Sequence, residues 1–398
     1  MHAPYSAKML SSLDELQQYG QRWNELWDSS QAYEPTSRWE TTALWVRSFE
    51  DPSTFRAAVI EDNDGRAVAA LAFLRKPKLG FQTLVLPSNE WAKSGELMIA
   101  DDVDPKSVVP LLVEQLKSQG DVLDFDRIQF EMPRWQLFSD YLTESGHIKE
   151  ISRIHRVGLI NIGNDWDGYF QCLSGNHRSA VRRSQKKANK QGDLQLVRRW
   201  NPSIDEVTAW MEESFRIEHQ GWKGPNGTSI VAAGLQDYFL HEALNARNSG
   251  MLDLWTLQLD GQTIAYEYCH HSKGHCLSYK IGYDENFKAL GPGRLLRKMQ
   301  LEQMTNGVDQ PDLPATLTLD TMGLLCKTKA KWTTGEYRMG RLVSSLSFSA
   351  KLLVQSKTLL RQIKRRIQPQ DDKQTESATT VLTHNTYPCT QQTAPVNQ

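Results

Sequence analysis

The chain opens with large apolar side chains near helical spacing. These are Leu13, Leu16, Trp23, Leu26 and Trp27. This period is typical of an amphipathic helix, so we expect a helix over residues 9–28. A second, shorter helix is predicted around Trp39, Leu44 and Trp45.

Two pairs of apolar runs, far apart in the chain, each flank an Asp-Gly dipeptide. These are Asp64-Gly65 and Asp260-Gly261, which lie 196 positions apart. Asp-Gly between apolar runs is a strong hairpin signal, because both residues tolerate the positive φ of the tight turn. A third strand is expected after Gly274.

The other predicted elements come in a similar order in each half. The first half has predicted helices over 108–120 and 135–146 and a strand over 127–133; the second has helices over 204–220 and 235–250 and a strand over 315–320. We therefore expect an internal duplication. The fold class is α/β, with two tandem domains near 1–150 and 151–345, each a mixed, mostly antiparallel sheet flanked by helices.

The C-terminal region differs in composition from the two halves. Residues 346–368 form a predicted amphipathic helix with cations at its end, Lys364, Arg365 and Arg366. These cations either complement the helix dipole of a docked helix, or the stretch 351–367 contacts a membrane surface. Residues 369–398 are polar and aperiodic, so we expect a disordered tail.

Composition places the chain among soluble globular proteins. Of its 398 residues, 39% are hydrophobic and 23% charged, and the net charge of −1 predicts no polyanionic partner for the chain as a whole. The five cysteines lack metal spacing, so we expect a reducing compartment and no metal site. No apolar run reaches the ~18 residues of a spanning helix, which predicts a cytoplasmic protein; a peripheral location at the inner face of the membrane stays open.

A Gly-Pro-Gly segment precedes a basic helical stretch late in the chain. The residues are Gly291, Pro292 and Gly293, followed by Arg294 and Leu295. Such a sequence makes either a tight turn or a cradle for an anion. In the second case the unpaired first-turn N–H groups and the helix dipole attract a phosphate, and glycine lets it approach closely. We expect Arg297 and Lys298 to add further positive charge in the first turns of this helix, facing the anion.

Several motifs of the second half resemble one family. They contain Glu218, Trp222, Lys223, Gly224, Gly227, Thr228, Lys280, Tyr283, Asp284, Glu285, Pro292, Gly293, Asp320, Gly323 and Lys327. In this order they are similar to the BioF2-like (CelD-like) acetyltransferases of the GNAT superfamily. The resemblance covers residues 160–346; the first half fits by architecture alone. Gly291 stands where the family often has serine before Pro-Gly.

The resemblance implies tandem GNAT-like domains, of which the first is degenerate, and a function. Residues 291–295 would hold the pyrophosphate of acyl-CoA, and the acyl group would pass to an amino or hydroxyl group of a sugar or a cell-envelope or exopolysaccharide precursor. Two alternatives stay open. One is an aminoacyl-tRNA-dependent peptidyltransferase like the related Fem proteins, the only case in which nucleic acid is a partner. The other is a non-catalytic scaffold at a polysaccharide synthase.

Acyl transfer from a thioester needs a base for the acceptor and a group that polarises the carbonyl. Glu218, His219 and Asp284 are the candidate bases. Each has a structural alternative: Glu218 and Asp284 could cap loops, and His219 could make a plain polar contact. Tyr279 is a possible acid or a packed aromatic residue.

Residues expected to bind substrate are mostly cationic or aromatic. They are Trp222, Lys223, Lys280, Tyr283, Asp320, Lys327, Arg178 and Arg182. The last two belong to a predicted basic helix over 176–192, where cations recur at i, i+4 and no acidic residue occurs from Gly168 to Gly192. A solvated helix face would normally carry both positively and negatively charged side chains. We therefore expect an anionic partner, such as a nucleotide-linked or lipid-phosphate substrate, the 3′-phosphate of CoA, tRNA or a membrane leaflet.

Overall fold

The computed structural model describes residues 4–221, 223–306, 316–352 and 354–356. The first half contains β1 (Tyr5–Leu10), α1 (Leu13–Gln18), α2 (Gly20–Asp28), α3 (Trp39–Phe49), β2 (Phe55–Asp62), β3 (Ala67–Lys78), β4 (Phe81–Val85), β5 (Met98–Ile99), α4 (Pro105–Lys117), β6 (Val122–Ile128), α5 (Pro133–Glu144) and β7 (Lys149–Asn161).

The second half contains α6 (Trp166–Cys172), α7 (Gly175–Gln191), β8 (Leu194–Trp200), α8 (Ile204–Gln220), α9 (Gln236–Asn248), β9 (Leu252–Leu259), β10 (Gln262–Ser272), β11 (His275–Tyr283), α10 (Pro292–Thr305), β12 (Thr318–Asp320) and β13 (Gly335–Ser345). Both predicted Asp-Gly hairpins form, as β2–β3 and β9–β10.

All named strands belong to one 13-stranded sheet. Its order is β1-β2-β3-β4-β6-β13-β7-β12-β11-β10-β9-β8, with β5 beside β3. Each half contributes one parallel pair, β4–β6 and β11–β12, and the other pairs are antiparallel. The prediction of a mixed α/β fold built of two similar halves is confirmed.

The two halves exchange their last strands. Strand β7 of the first half pairs with β12 of the second, whereas β13 of the second half pairs with β6 of the first. The pair β7–β13 joins them at the centre of the sheet. The order of strands is therefore the same when counted from either edge, which is the pattern expected of an approximate twofold repeat.

Two local predictions were wrong. The helix expected over 9–28 starts later, because Tyr5–Leu10 is an edge strand paired with β2 and Ser12 caps α1 by accepting from Glu15 N. The strand expected over 127–133 lies at Val122–Ile128, and Pro133 begins α5. In the first place the helical period concealed the strand, whereas in the second the strand was recognised but placed too late, because Pro133 begins the helix and does not end the strand.

Helix α10 is anchored by its apolar face. Leu295, Leu296 and Leu301 are buried against β9 and β10 in a cluster that includes Trp255. Burying a leucine side chain contributes about 1.5–3 kcal/mol. This packing fixes where the helix begins, and hence the position of its first-turn amides.

Within the described ranges no helix is both long enough and apolar enough to cross a membrane. Of the amphipathic helix predicted over 346–368, only residues 346–352 and 354–356 fall within the described part of the chain. The predicted tail over 369–398 lies outside it.

Candidate functional site

The N-terminus of α10 has no side-chain cap. Gly291 occupies the N-cap position in the left-handed conformation (φ 69°, ψ 55°), and Pro292 is the first helical residue. Among the described residues no acceptor bonds the N–H of Gly293, and a Cβ added there would meet no atom within 4 Å. An open, uncapped helix N-terminus with glycine at the mouth fits a phosphate.

Helix α7 forms one wall of this mouth. The Arg294 guanidinium donates from Nη1 to Ser184 Oγ at 2.9 Å. The same hydroxyl lies 3.1 Å from where a Cβ of Gly291 would be, so a side chain there would be crowded as well as strained by the positive φ. Arg294 thus lies beside the open amide, whereas Leu295 is buried below it.

The expectation that Arg297 and Lys298 face the ligand was wrong. Arg297 is buried under α10, where it donates to Glu267 and to Gln300, both at 2.6 Å. Lys298 pairs with Glu302 one turn along the same helix. Position 297 falls on the inner face of α10 beside Leu296 and Leu301, so its charge is neutralised within the core.

Strand β11 has a free edge that leads toward this helix mouth. It pairs with β12 over only three positions, from His275–Thr318 to Leu277–Asp320. Past Leu277 no described strand pairs with that edge, although β11 continues to Tyr283. An unpaired edge offers N–H and C=O groups to any extended ligand laid along it.

A β-bulge lies within the free segment. In the β10–β11 register, Tyr268 is opposite Lys280 and Cys269 is opposite Ser278, so Tyr279 is the extra residue. A bulge leaves a peptide unpaired and breaks the alternation of side chains. The side chains of Tyr279 and Lys280 therefore lie close together, with the Lys280 amine 5.3 Å from the centre of the Tyr279 ring.

Lys280 lies in a pocket of aromatic rings. Its Nζ is 4.4 Å from the centre of the Phe239 ring and 5.8 Å from that of Trp91, and it donates to Trp91 O at 3.0 Å. Burial lowers the pKa of Lys280 to about 8. Trp91 belongs to the first half, so both halves build this part of the site.

The candidate bases Glu218 and His219 both brace one loop. Glu218 is buried; its Oε1 accepts from Lys223 Nζ at 2.6 Å and its Oε2 from Ile230 N at 2.8 Å. His219 is exposed, with Nδ1 2.9 Å from Ser229 Oγ. Trp222, which follows them in the chain and was predicted to bind substrate, lies outside the described residues.

The third candidate base, Asp284, caps a short 3₁₀ turn. Its side chain accepts from Asn286 N at 2.9 Å, at the start of the turn Glu285–Leu290 that ends on Gly291. Tyr283 precedes it, and burial together with Glu285 raises the pKa of that phenol. These two residues therefore shape the approach to the helix mouth.

Asp320 ends β12 where that strand parts from β11. It is fully buried, accepts from Tyr337 OH at 2.9 Å, Tyr33 OH at 3.5 Å and Met322 N at 2.8 Å, and has no cationic partner among the described residues. Burial raises the pKa of Asp320 to about 6. Lys327, also predicted to bind substrate, is exposed on the turn that follows.

Helix α7 presents an exposed cationic face. Its members are Arg182, Arg183, Lys186, Lys187 and Lys190. No ion pair within the described ranges involves any of them. Arg178, predicted as part of the ridge, instead donates to Leu173 O at 2.9 Å and to Gln171 O. Arg182 lies over the Phe170 ring, 5.5 Å from its centre.

Sequence reasoning missed a buried network behind Tyr279. His270 Nε2 lies 2.8 Å from Glu242 Oε1 and 2.9 Å from Tyr268 OH, and Tyr268 OH also donates to Glu242. The Tyr279 ring is 4.7 Å from that of His270. The signal was present in α9, where Glu242 interrupts an apolar stripe.

No grouping of three or more His, Cys, Asp or Glu side chains suited to a metal ion occurs among the residues that the structure describes.

Known proteins resemble this chain in two ways. Residues 175–314 match the sequence profile of the acetyltransferase (GNAT) domain. A conserved protein of unknown function from Bacteroides thetaiotaomicron VPI-5482 has a TM-score of 0.52 at 11% identity, covering 86% of this chain and 100% of its own. FemX also has a TM-score of 0.52, at 12% identity, covering 82% of this chain and 95% of its own.

A further solved structure is similar over most of the chain. The C-terminal DUF2156 domain of a putative lysylphosphatidylglycerol synthetase from Agrobacterium fabrum has a TM-score of 0.49 at 11% identity, covering 87% of this chain and 97% of its own. At such identities the likeness concerns the fold alone. No curated protein sequence gives a significant match.

Proposed function

We propose that the protein is an acyl-CoA-dependent acyltransferase that acts on an amino or hydroxyl group of a sugar or cell-envelope precursor. The observation that carries the proposal is the open N-terminus of α10 at the end of the free edge of β11. The match of residues 175–314 to the acetyltransferase (GNAT) domain supports it, because that region contains α7, β8 to β11 and α10. The narrower BioF2-like resemblance remains a prediction.

The donor would lie along β11. Its diphosphate would accept from the amide of Gly293 beside Arg294, and its amide-containing arm would extend along residues 278–283 as an added strand. The bound thioester supplies an activated acyl group. At the bulge, the peptide of Tyr279 left unpaired by the register would donate to the acyl carbonyl and stabilise negative charge on its oxygen.

Thermal unfolding with acetyl-CoA tests the donor site. At ~100 times its Kd a ligand that binds the folded state alone adds about 2.7 kcal/mol of stability. Acetyl-CoA should therefore raise the melting temperature. Pantetheine, which lacks the diphosphate, should raise it far less. Equal responses to both ligands, or none to acetyl-CoA, would contradict the proposal.

One observation favours a second candidate, transfer from an aminoacyl-tRNA. The five cations on the face of α7 carry no ion pair within the described ranges, and α7 adjoins the α10 mouth through Ser184 and Arg294. Phosphodiester binding by such cations weakens steeply with salt. Salt-dependent tRNA binding without any response to acetyl-CoA would support this candidate over the first. A contact of 351–367 with membranes stays a prediction, because most of that stretch lies outside the described residues.

A further inference from the structure

We propose that Lys280 is the base that takes the proton from the acceptor nucleophile, an inference that rests on the proposed function. Its amine lies 5.3 Å from the centre of the Tyr279 ring, beside the bulge where the acyl carbonyl would be held, and its backbone belongs to the free segment of β11. The amine of Lys280 is therefore a titratable group close to the proposed reaction centre.

The surroundings of Lys280 hold its amine in place. Rings from three elements enclose it: Trp91 from the first half, Phe239 from α9 and Tyr279 from β11. Trp91 O is its one hydrogen-bond acceptor within the described ranges, at 3.0 Å. In its neutral form a lysine amine also has a lone pair, which can accept a proton.

The three bases predicted from sequence are committed elsewhere. Both carboxylate oxygens of Glu218 are bonded, Asp284 caps the turn before Gly291, and His219 contacts Ser229. Each of them therefore already holds a loop or turn in place, and Glu218 could not accept a proton without breaking one of its contacts. Lys280 can take a proton without losing its bond to Trp91 O.

The charges that face Lys280 come from four elements. Burial is the largest influence and lowers the pKa of this amine to about 8. Glu218 on α8 and Glu242 on α9 act to raise it, whereas Lys223 and Arg127 act to lower it. A base is most effective when its pKa is near the working pH, because an appreciable fraction is then neutral.

The transfer is balanced with Lys280 as base and then acid. The acceptor nitrogen or oxygen attacks the thioester carbon and forms the new C–N or C–O bond, while its proton passes to Lys280 Nζ. The carbonyl π electrons move onto oxygen. When they return, the C–S bond breaks, and the leaving thiolate takes the proton from the Lys280 ammonium.

Competitive labelling of lysines with isotopic acetic anhydride tests the amine directly. Only neutral amines react, so labelling of each lysine peptide against pH reports its titration. We expect Lys280 to titrate near pH 8 and to be protected by CoA. The matched control is Lys117, which lies on α4 and pairs with Glu114 at 2.8 Å, and whose labelling CoA should leave unchanged. Failure of Lys280 to titrate near pH 8, or labelling of Lys280 that CoA leaves unchanged, overturns the proposal.

Variants separate this inference from the proposed function. With acetyl-CoA as donor and glucosamine as acceptor, thiol release is followed from pH 6 to 10. Lys280→Met and Lys280→Arg should lower the rate about 10²- to 10⁴-fold and abolish the alkaline rise, while acetyl-CoA still shifts the melting temperature. Lys117→Met should match the wild type. Full activity with an unchanged pH profile in Lys280→Arg overturns the assignment of the base. Loss of the acetyl-CoA shift in the wild type overturns the donor site itself.

Discussion

Helices α4 and α10 occupy corresponding positions in the two halves, and both begin on a proline whose neighbours differ. In α4 the sequence is Asp104-Pro105-Lys106, and the Asp104 carboxylate accepts from Lys106 N at 3.0 Å. In α10 the sequence is Gly291-Pro292-Gly293 with no side-chain cap. The first half therefore caps the start of its helix with a carboxylate, whereas the second half has no side-chain cap there.

The strands before these helices differ in the same sense. Strand β4 keeps an unbroken register with β3 and ends at Val85, where its parallel pairing with β6 also ends. Strand β11 carries the bulge at Tyr279 and continues to Tyr283 beyond its pairing with β12. Of these two strands, β11 alone offers an extended, unpaired edge. One backbone plan thus yields a free strand segment before the helix in one half and a fully paired strand in the other.

Two aspartates mark the same point of each half. Asp124 is the last residue of the β4–β6 parallel pairing, and Asp320 is the last of the β11–β12 pairing. Asp124 accepts from Arg341 twice at 2.5 Å and from Lys78 at 3.3 Å; although burial acts to raise its pKa, these cations hold that pKa below the usual range. Among the described residues the hydrogen-bond donors to Asp320 are hydroxyl and amide groups. The pKa values of the two corresponding aspartates are therefore shifted in opposite directions.

The largest expected effect comes from neutralising Asp124. Asp124→Asn leaves the half-buried Arg341 without its counter-ion, which should cost about 3 kcal/mol at pH 7. Because the folded-state pKa is lowered, the contribution is present above the unfolded value and is lost as pH falls below it. Urea unfolding at pH 7 and pH 3 should show the cost shrinking toward acid. Asp126→Asn, on the same strand with no ion pair in the described part of the chain, is the control and should cost under about 1 kcal/mol. Equal costs for both variants would show that the pairing contributes nothing.

Closing the open helix mouth should abolish donor binding. Gly293→Val places a branched side chain in the space above the first-turn amide, so the stabilisation of about 2.7 kcal/mol expected at ~100 times the Kd should disappear. The corresponding change in the first half, Lys106→Val, should leave the acetyl-CoA shift intact. A normal shift in Gly293→Val would place the diphosphate elsewhere.

Neutralising Asp320 should stabilise the protein at neutral pH. Its pKa of about 6 is raised above the unfolded value of about 3.9, so ionisation disfavours the fold by about 3 kcal/mol. The stability that protonated Asp320 confers is complete below pH ~4 and is lost as pH rises through ~6. Asp320→Asn should therefore be about 1 kcal/mol less stable than the wild type at pH 4, where neither side chain is charged and the amide meets the tyrosine hydroxyls less well. At pH 7 it should exceed the wild type by about 2 kcal/mol, because the amide escapes the ionisation penalty of about 3 kcal/mol. Urea unfolding at pH 4 and at pH 7 measures the difference in the free energy of unfolding. A variant less stable than the wild type at pH 7 would contradict the prediction.

Much of the fold could be predicted from local chemistry. The Asp-Gly pairs at 64 and 260 identified both hairpins because few dipeptides suit positive φ, and the spacing between them revealed the duplication. The exchange of β7 and β13 could not be predicted, since strand pairing across the sheet depends on contacts far apart in sequence. Strand β1 was hidden because a single short edge strand carries too few residues to show a period of two.

The candidate site was predictable where it depends on glycine and proline. The motif at 291–293 identified the helix mouth because those residues act through the backbone. The bulge at Tyr279 leaves no mark in the pattern of apolar residues. The burial of Arg297 followed from helix phase, and treating its charge as exposed was the error. Trp91 reaches Lys280 across the two halves, a contact that no local pattern encodes.

The smallest effect concerns the capped helix of the first half. Asp104→Ala removes the carboxylate that accepts from Lys106 N, and losing such a cap typically costs about 1 kcal/mol. The acetyl-CoA shift should not change, because the bulge and the free strand edge are absent beside α4 even when its amides are released. Thermal unfolding of the variant with and without acetyl-CoA measures both quantities. A second, weaker acetyl-CoA site appearing in Asp104→Ala would show that the carboxylate alone keeps the first half from binding the donor.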